Sequence, residues 1–262
     1  MDDDKGIAKK PNTMMVDDKG SAKKHDTKMA DAKSSVKKVE VTMVSCRPIM
    51  PFSLIQKINE CQVAAIKKIG FSGFLELKIN NFPLSHVWLF LEAFSNGSYV
   101  FKASQKKEFM ISNHDVYDCF LIPFGPNPLP LVHTGLQKDS NNAENKALKD
   151  KWREAYRVKR ASSSIGLGTV LKELESYKEA DDHFCRLFVL LCMSLFLAPT
   201  QNNGIDLKFL RTVEDATSIS HFDWCSYVLD NVVKAGSDLK KAPTTFGGCI
   251  SFLMITYFQR YD

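Results

Sequence analysis

The chain has 262 residues, of which 44% are hydrophobic and 25% are charged, and its formal net charge is +5 at pH 7. This balance is that of an ordinary globular protein, long enough for one large domain or two small ones. The net charge is too small to indicate, by itself, a nucleic-acid or anionic-membrane partner.

Residues 3–44 are three copies of a 14-residue repeat, and the third copy has diverged. The copies contain no aromatic residue and few aliphatic ones, so they cannot bury enough apolar surface to offset the entropy of ordering. Gly6, Pro11 and Gly20 argue against a continuous coiled coil. We therefore predict a disordered tail over residues 1–44, whose paired lysines leave open a weak nuclear-import or polyanion-binding signal.

The rest of the chain, residues 51–262, is predicted to be a mainly α-helical, irregular multi-helix domain. Apolar spacing and cap residues predict helices over 54–69, 84–94, 114–120, 144–160, 169–178, 182–197, 206–211, 221–235 and 246–260. Two short stretches rich in aromatic and β-branched residues predict one small β-hairpin at residues 98–104 and 107–112.

Helix-capping residues, glycine and proline define some of the predicted helix boundaries more closely. Gly70 is predicted to end the first helix, and Gly236 is predicted to end the helix over 221–235. Ser112 with Asp115, and Ser220 with Asp223, are predicted to start helices as S-x-x-D caps. A stretch with four prolines, followed by a polar one, predicts a flexible insertion near residues 123–146.

The cysteine pattern and the apolar runs indicate where in the cell the protein would be found. No pair among the seven cysteines has C-x-x-C spacing, so a finger-type zinc site is not indicated. The charged N-terminus is not a signal peptide, which favours free thiols in the cytosol or nucleus. The most apolar run, residues 187–198, is shorter than the roughly 20 residues of a membrane span and predicts a buried core helix.

The stretch around Cys225 raises the question of a catalytic cysteine, because Asp223 and Trp224 precede it. Three apolar residues follow Cys225 at helical spacing, namely Val228, Leu229 and Val232. Cys225 is therefore predicted to lie on a buried helical stripe. A reactive cysteine needs partial exposure and a lowered pKa, so we predict a structural role for this thiol.

The segment 146–160 is the one strongly basic stretch, with seven basic residues and two acids. Helical spacing places Leu148, Trp152, Ala155 and Tyr156 on one face. A second face, the basic ridge, would carry Lys149, Arg153, Arg157 and Arg160. Such a ridge could bind phosphates weakly or contact an acidic partner, although a solvated helix without a ligand explains the same pattern.

Other catalytic and cofactor motifs do not occur. There is no G-x-S-x-G, P-loop, H-E-x-x-H or EF-hand sequence, and the GLGT stretch at 166–169 is predicted to be a linker. We predict no catalytic residue, no cofactor and no metal site.

Several segments carry a family resemblance through their order and spacing: 65–78, 88–94, 111–125, 181–200, 223–230 and 247–261. Together they resemble the plant mobile domain family, also called aminotransferase-like plant mobile domain proteins, over about residues 54–262. Asp223 replaces the family's usual asparagine and Leu121 its usual glycine. The chain also stops soon after the last segment, which predicts a C-terminally truncated copy of the family's domain.

The resemblance implies association with transposable elements and a nuclear setting, with the cytoplasm as the alternative location. It supplies no pyridoxal-phosphate site, because a Schiff-base lysine with its partner groups is not indicated. We therefore interpret the chain as a non-enzymatic binding or scaffold module of transposon-derived origin. It would act through an unidentified protein partner or weak nucleic-acid contacts, without integral membrane association. The alternatives are a cysteine hydrolase, a protease-associated domain of the ubiquitin-like-protease family, and a decayed element fragment without activity.

Overall fold

The structure, a computed structural model, describes residues 43–44, 53–78, 87, 90–91, 94, 98–104, 107–132, 142–158, 164–241 and 245–261. All of these residues belong to one of two structural units of the chain, which spans residues 38–262. The predicted tail lies outside the described residues up to position 42.

Helices account for most of the described chain. In chain order the α-helices are α1 (Glu60–Lys68), α2 (Gly73–Glu76), α3 (Asn113–Phe120), α4 (Asn142–Ala155), α5 (Leu167–Ser176), α6 (Asp182–Cys192), α7 (Trp224–Lys241) and α8 (Ile250–Tyr261). A π-helical turn, Met193–Leu197, continues α6, and short 3-10 helices occupy Leu207–Phe209 and Ala216–His221. The mainly helical fold class is confirmed.

The predicted hairpin is present. Strand β2 (Val100–Ser104) pairs antiparallel with β3 (Lys107–Met110). Phe101 lies opposite Phe109, and their rings stack with centroids 5.3 Å apart. Such cross-strand aromatic pairs stabilise a two-stranded ribbon that would be marginal alone.

A second strand pair was not predicted. Strand β1 (Met43–Val44) runs parallel to β4 (Thr245–Phe246). Strand β1 occupies the last two residues of the range 1–44. A strand this short is defined by a partner far away in the sequence, so local composition does not reveal it.

The first helix begins later than predicted. Residues 53–55 form a separate helical turn, and α1 starts only after Asn59. The side chain of Asn59 accepts a hydrogen bond from the N–H of Gln62, and the Gln62 side chain accepts one from the N–H of Asn59, both at 3.0 Å. This capping box satisfies two helix-end donors and fixes the start of α1. Gly70, at φ +84°, follows the helix, as predicted.

The second predicted helix, 84–94, is only partly described. Val87, Phe90 and Leu91 are helical. These three residues and Phe94 are buried, as the apolar spacing predicted. The remaining residues of this prediction lie outside the described part of the chain.

The proline-rich segment after α3 is extended and attached to the body of the protein. The N–H of Val132 donates to the carbonyl oxygen of Lys208 at 2.8 Å, and the Val132 side chain is fully buried. The predicted flexible insertion near 123–146 is therefore wrong for this segment. It is also wrong at its other end, where α4 begins at Asn142, while residues 133–141 lie outside the described residues.

Helix α6 and its π-turn form the centre of the core. Every residue from 187 to 197 is at most 1% exposed, which confirms the predicted buried helix. Phe196 meets Phe74 of α2 and Phe120 of α3 edge-on, with ring centroids 5.5 and 5.4 Å apart. Fully burying one such side chain contributes about 1.5–3 kcal/mol. The short helices α2 and α3 are thus held in place by the central helix.

Helix α7 starts later than the predicted residue 221. Ser220 lies inside the 3-10 helix and does not cap α7. Asp223 is the residue before the helix, and its carboxylate accepts a hydrogen bond from the N–H of Ser226 at 2.8 Å. The S-x-x-D prediction therefore chose the wrong member of the pair as the cap.

Helix α7 also ends later than predicted. It continues through Gly236 to Lys241, although Gly236 was predicted to stop it. Gly236 is buried, and Leu239 beyond it packs against the core. This packing outweighs the roughly 1 kcal/mol that a glycine costs inside a helix.

Candidate functional site

Cys225 lies inside the protein on α7. Its side chain is 0% exposed, and the predicted stripe of Val228, Leu229 and Val232 is buried with it. The position of this cysteine on a core-facing stripe is confirmed.

The surroundings of the Cys225 thiol suppress its ionisation. Its Sγ donates to the carbonyl oxygens of Ile122 and Pro123, at 3.6 and 3.7 Å. Burial, and secondly the Asp223 carboxylate, raise the pKa of the thiol to about 12. A nucleophilic cysteine needs the opposite shift, so the thiol serves here as a core group.

We expect Cys225 to react with N-ethylmaleimide in the native protein far more slowly than Cys61, which is exposed. The reagent reaches a buried thiol only when the structure opens. Peptide mapping by mass spectrometry at successive times measures both residues in one sample. Labelling in denaturant should make their rates similar, and fast native labelling of Cys225 would contradict its burial.

Other described cysteines behave in the same way. Burial raises the pKa of Cys119 and Cys185 to about 11, and that of Cys192 well above its ordinary value. None of these three thiols favours the thiolate at neutral pH. The cysteine-hydrolase alternative gains no support from them.

The basic ridge predicted on segment 146–160 does not form one helical face. Helix α4 ends at Ala155, so Lys149 and Arg153 lie on the helix and Arg157 lies in the turn after it. Arg160 lies outside the described residues. The prediction of a single exposed row of four cations is therefore wrong, because the helix is too short to carry it.

The two ridge residues on α4 are also less exposed than predicted. The Arg153 side chain is 22% exposed and pairs with Asp150 at 3.3 Å. Burial, and secondly the charge of Arg153, lower the pKa of Lys149. Trp152 packs against the core. Lys149 and Arg153 flank this packed side, since adjacent helix positions are only about 100° apart.

A contiguous exposed patch, here called the α3 surface, consists of His114, Tyr117, Leu121 and Phe124. The first three follow helical spacing i, i+3 and i+7, so they share one side of α3 and its end. Phe124 adds to them by packing edge-on against His114, with ring centroids 5.0 Å apart. Tyr117, Leu121 and Phe124 are 42%, 44% and 38% exposed.

The helix beneath the α3 surface is well anchored. Its opposite side buries Val116 and Phe120. At its start, the predicted cap is confirmed, because the Ser112 N–H donates to the Asp115 carboxylate at 2.7 Å. Asn113 Nδ2 also donates to Ser226 Oγ of α7, at 2.9 Å. These contacts hold the exposed side chains on a rigid support.

Leu121 ends α3 in an unusual conformation. Its φ is +45°, and its N–H donates to the carbonyl oxygen of Tyr117 at 2.7 Å. This left-handed helix end is normally occupied by glycine, because a Cβ costs about 1–2 kcal/mol there. The conformation thus keeps an exposed apolar side chain at a position where glycine would be more stable.

A concave site, here called the α4–α6 cavity, lies where the end of α4 meets α5 and the start of α6. Its volume is about 320 Å³, and it is lined by Ala155, Tyr156, Arg157, Thr169, Glu173 and His183. Nε2 of His183 lies 2.8 Å from Oε1 of Glu173. The buried Tyr156 hydroxyl lies beside Glu173 without a well-formed hydrogen bond; burial first and that carboxylate second raise the pKa of Tyr156.

Sequence reasoning missed this cavity. Residues 166–169 were predicted to be a linker, whereas Leu167, Gly168 and Thr169 form the first turn of α5. Thr169 and Glu173 are then one helical turn apart and share a face. That spacing is a local signal, but nothing local places Arg157 and His183 beside it.

A larger cavity, of about 660 Å³, lies between the starts of α1 and α6. Two of its polar residues have structural roles. Asn59 caps α1 and also donates to the Lys178 carbonyl oxygen at 2.9 Å. Asp181 caps α6 by accepting a hydrogen bond from the N–H of Phe184 at 3.0 Å. We therefore do not assign a binding site to this cavity.

Neither a membrane-spanning helix nor a cluster of metal ligands occurs among the described residues. No described helix combines the length and apolar character needed to cross a membrane. Within the described ranges, no group of three or more histidine, cysteine, aspartate or glutamate side chains is arranged to hold a metal ion.

Together, the fold and its surface define a mainly α-helical domain with a central buried helix, an exposed apolar patch and a small polar cavity. The chain belongs to the family described as Domain of unknown function (DUF8566), which matches residues 44–254. No curated protein and no solved structure matches the chain.

Proposed function

We propose that this domain is a non-enzymatic binding module that engages a protein partner through the α3 surface. The observation that carries the proposal is the exposed Leu121 at φ +45°, which joins Tyr117 and Phe124 in one patch. Isolated exposed apolar residues are ordinary, whereas a contiguous patch is typical of interaction sites. Aromatic residues are also enriched in the centre of protein interfaces.

The chemistry of the α3 surface favours an apolar partner segment. Tyr117 and Phe124 offer flat rings, and Leu121 adds an aliphatic side chain beside them. Because the backbone of α3 is fixed at both ends, little conformational entropy would be lost on binding.

The biological setting is proposed on the resemblance to the plant mobile domain family. That resemblance supports a transposon-derived origin and a nuclear location, with the cytoplasm as the alternative. Weak nucleic-acid binding is a second proposed contact. Its support is weaker than the sequence suggested, because Lys149 and Arg153 are half-buried. An enzymatic role or an inactive fragment stays an alternative prediction.

The test is affinity purification of the tagged full chain from nuclei, with and without nuclease, comparing wild type with Leu121→Gly. Glycine adopts φ +45° without strain, so the free energy of unfolding of the variant should be about 0.5–1 kcal/mol higher than that of wild type. This gain remains after the loss of the half-exposed leucine side chain. We expect nuclease-resistant partners to be depleted at least about fivefold, which corresponds to roughly 1 kcal/mol of lost contact.

Arg157→Gly is the matched control, because it makes the same backbone change at φ +53° away from the α3 surface. It should retain the nuclease-resistant partners. Equal recovery of all such partners by wild type and Leu121→Gly would refute docking through the α3 surface. Partners lost only on nuclease treatment would show that nucleic acid mediates the contact.

A further inference from the structure

The α4–α6 cavity brings together polar side chains from three parts of the chain. Tyr156 and Arg157 come from the turn after α4, Thr169 and Glu173 from α5, and His183 from the start of α6. A phenol, a guanidinium, a hydroxyl, a carboxylate and an imidazole thus surround a single space. Convergence of several donors on a concave site is a feature of ligand pockets.

The charges around the cavity favour an anion. Glu173 is its one carboxylate, and that carboxylate is already engaged by His183 at 2.8 Å, with the Tyr156 hydroxyl beside it. The Arg157 guanidinium has no ion-pair partner among the residues that the structure describes. A positive charge without such a partner, beside the Thr169 and Tyr156 hydroxyls, is suited to a negatively charged oxygen.

Arg157 occupies a position that normally selects another residue. Its φ is +53°, and it ends α4 with two hydrogen bonds: its own N–H to Glu154, and that of Val158 to the Arg153 carbonyl oxygen. This is a Schellman motif, in which glycine is the usual residue at the left-handed position. Arginine therefore does not stabilise this helix end better than glycine would. What it adds at this position is a guanidinium group.

We propose that the α4–α6 cavity binds a phosphate monoester of a small molecule, with Arg157 as the principal anchor. The phosphate oxygens would accept hydrogen bonds from Arg157, Thr169 and Tyr156, while His183 stays paired with Glu173. The volume of about 320 Å³ is at the small end of ligand pockets, so a compact ester fits it.

The test is a thermal-unfolding titration of the full chain with inorganic phosphate and with glycerol phosphate, against chloride at equal ionic strength. At ligand concentrations ten times Kd, we expect the Tm of wild type to rise by about 3–6 °C. Arg157→Gly should bind about 10–100-fold more weakly, the range for losing a hydrogen-bonded charge. This variant relaxes the backbone, so weak binding would not reflect poor folding.

Two further variants complete the design. Leu121→Gly relaxes the other left-handed helix end and should keep the full phosphate response. Glu173→Gln removes the only negative charge among the described residues that line the cavity, so it should bind phosphate about threefold tighter or more. Weaker phosphate binding by Glu173→Gln would contradict this charge argument and would overturn the proposal.

The remaining outcomes are equally decisive. No rise in Tm for wild type with either ligand, or the same rise for Arg157→Gly, would refute phosphate binding at this cavity. Tighter binding of glycerol phosphate than of inorganic phosphate would support a monoester ligand. Equal affinities would overturn the ester part of the proposal.

Discussion

Replacing Trp224 by alanine is expected to destabilise the protein by about 3–5 kcal/mol, the usual range for truncating a buried tryptophan. Trp224 is fully buried at the start of α7. Its ring meets Phe71 edge-on at 5.4 Å and lies 6.2 Å from Phe209. The ring thus joins three separate parts of the core, and its removal leaves a cavity that none of them can fill.

Thermal unfolding measures this change directly. For a unit of this size, the expected loss lowers Tm by about 6–20 °C. Trp224→Phe is the matched control, because it keeps most of the apolar area and removes the hydrogen bond from Nε1 to the Ile219 carbonyl oxygen, which is 2.8 Å long. Its cost should be about 1–2 kcal/mol. If Trp224→Ala lowered Tm by only a degree or two, the core arrangement around α7 would be wrong.

Replacing Gly73 by alanine is expected to cost about 3 kcal/mol or more, which is the upper end for an overpacked site. A Cβ at Gly73 would lie 1.8 Å from the carbonyl oxygen of Phe120 and 3.0 Å from the Cβ of Leu121. The closest atom belongs to the backbone of α3, so no side-chain rotation can relieve the overlap. Gly73 is therefore what allows α2 to pack against the end of α3.

Gly168→Ala is the control, because it is expected to change the stability in the opposite direction. A Cβ at Gly168 meets nothing within 4 Å, and the residue lies in the first turn of α5. Alanine should stabilise the protein there by about 0.5–1 kcal/mol, because it loses less backbone entropy than glycine does. Urea denaturation with unchanged m-values measures both variants. A neutral Gly73→Ala would show that α2 does not contact α3 as described.

The Gly73 contact also bears on the α3 surface. Because α2 packs against the end of α3, loosening this contact should also disturb the adjacent Leu121. Gly73→Ala would therefore be expected to weaken partner capture together with stability, whereas Leu121→Gly would weaken capture alone. Comparing these variants separates loss of the surface from loss of the fold.

Several features could be predicted because their causes are local. The apolar period of residues 182–197 predicted the central helix, and the same period placed Cys225 on a buried stripe. The pair Ser112 and Asp115 predicted the start of α3, since both partners of a capping box lie within one helical turn. Helical periodicity and cap chemistry depend on neighbours only a few residues away.

Other predictions failed where contacts between distant parts of the chain determine the secondary structure. Gly236 would end an isolated helix, but burial carries α7 through it to Lys241. The stretch Met43–Val44 is a strand because it meets Thr245–Phe246 from the other end of the unit. The basic ridge assumed a longer α4, whereas the chain turns at Arg157.

The sequence by itself therefore determined the helical class, the central buried helix and the structural role of Cys225, because hydrophobic spacing directly encodes which side of a helix faces the core. The tertiary structure alone decided how exposed Lys149 and Arg153 are, where α7 ends, and which residues form the α4–α6 cavity. Arg157, Glu173 and His183 are brought together by the packing of three helices, and side-chain contacts between separate elements leave no pattern in a single sequence.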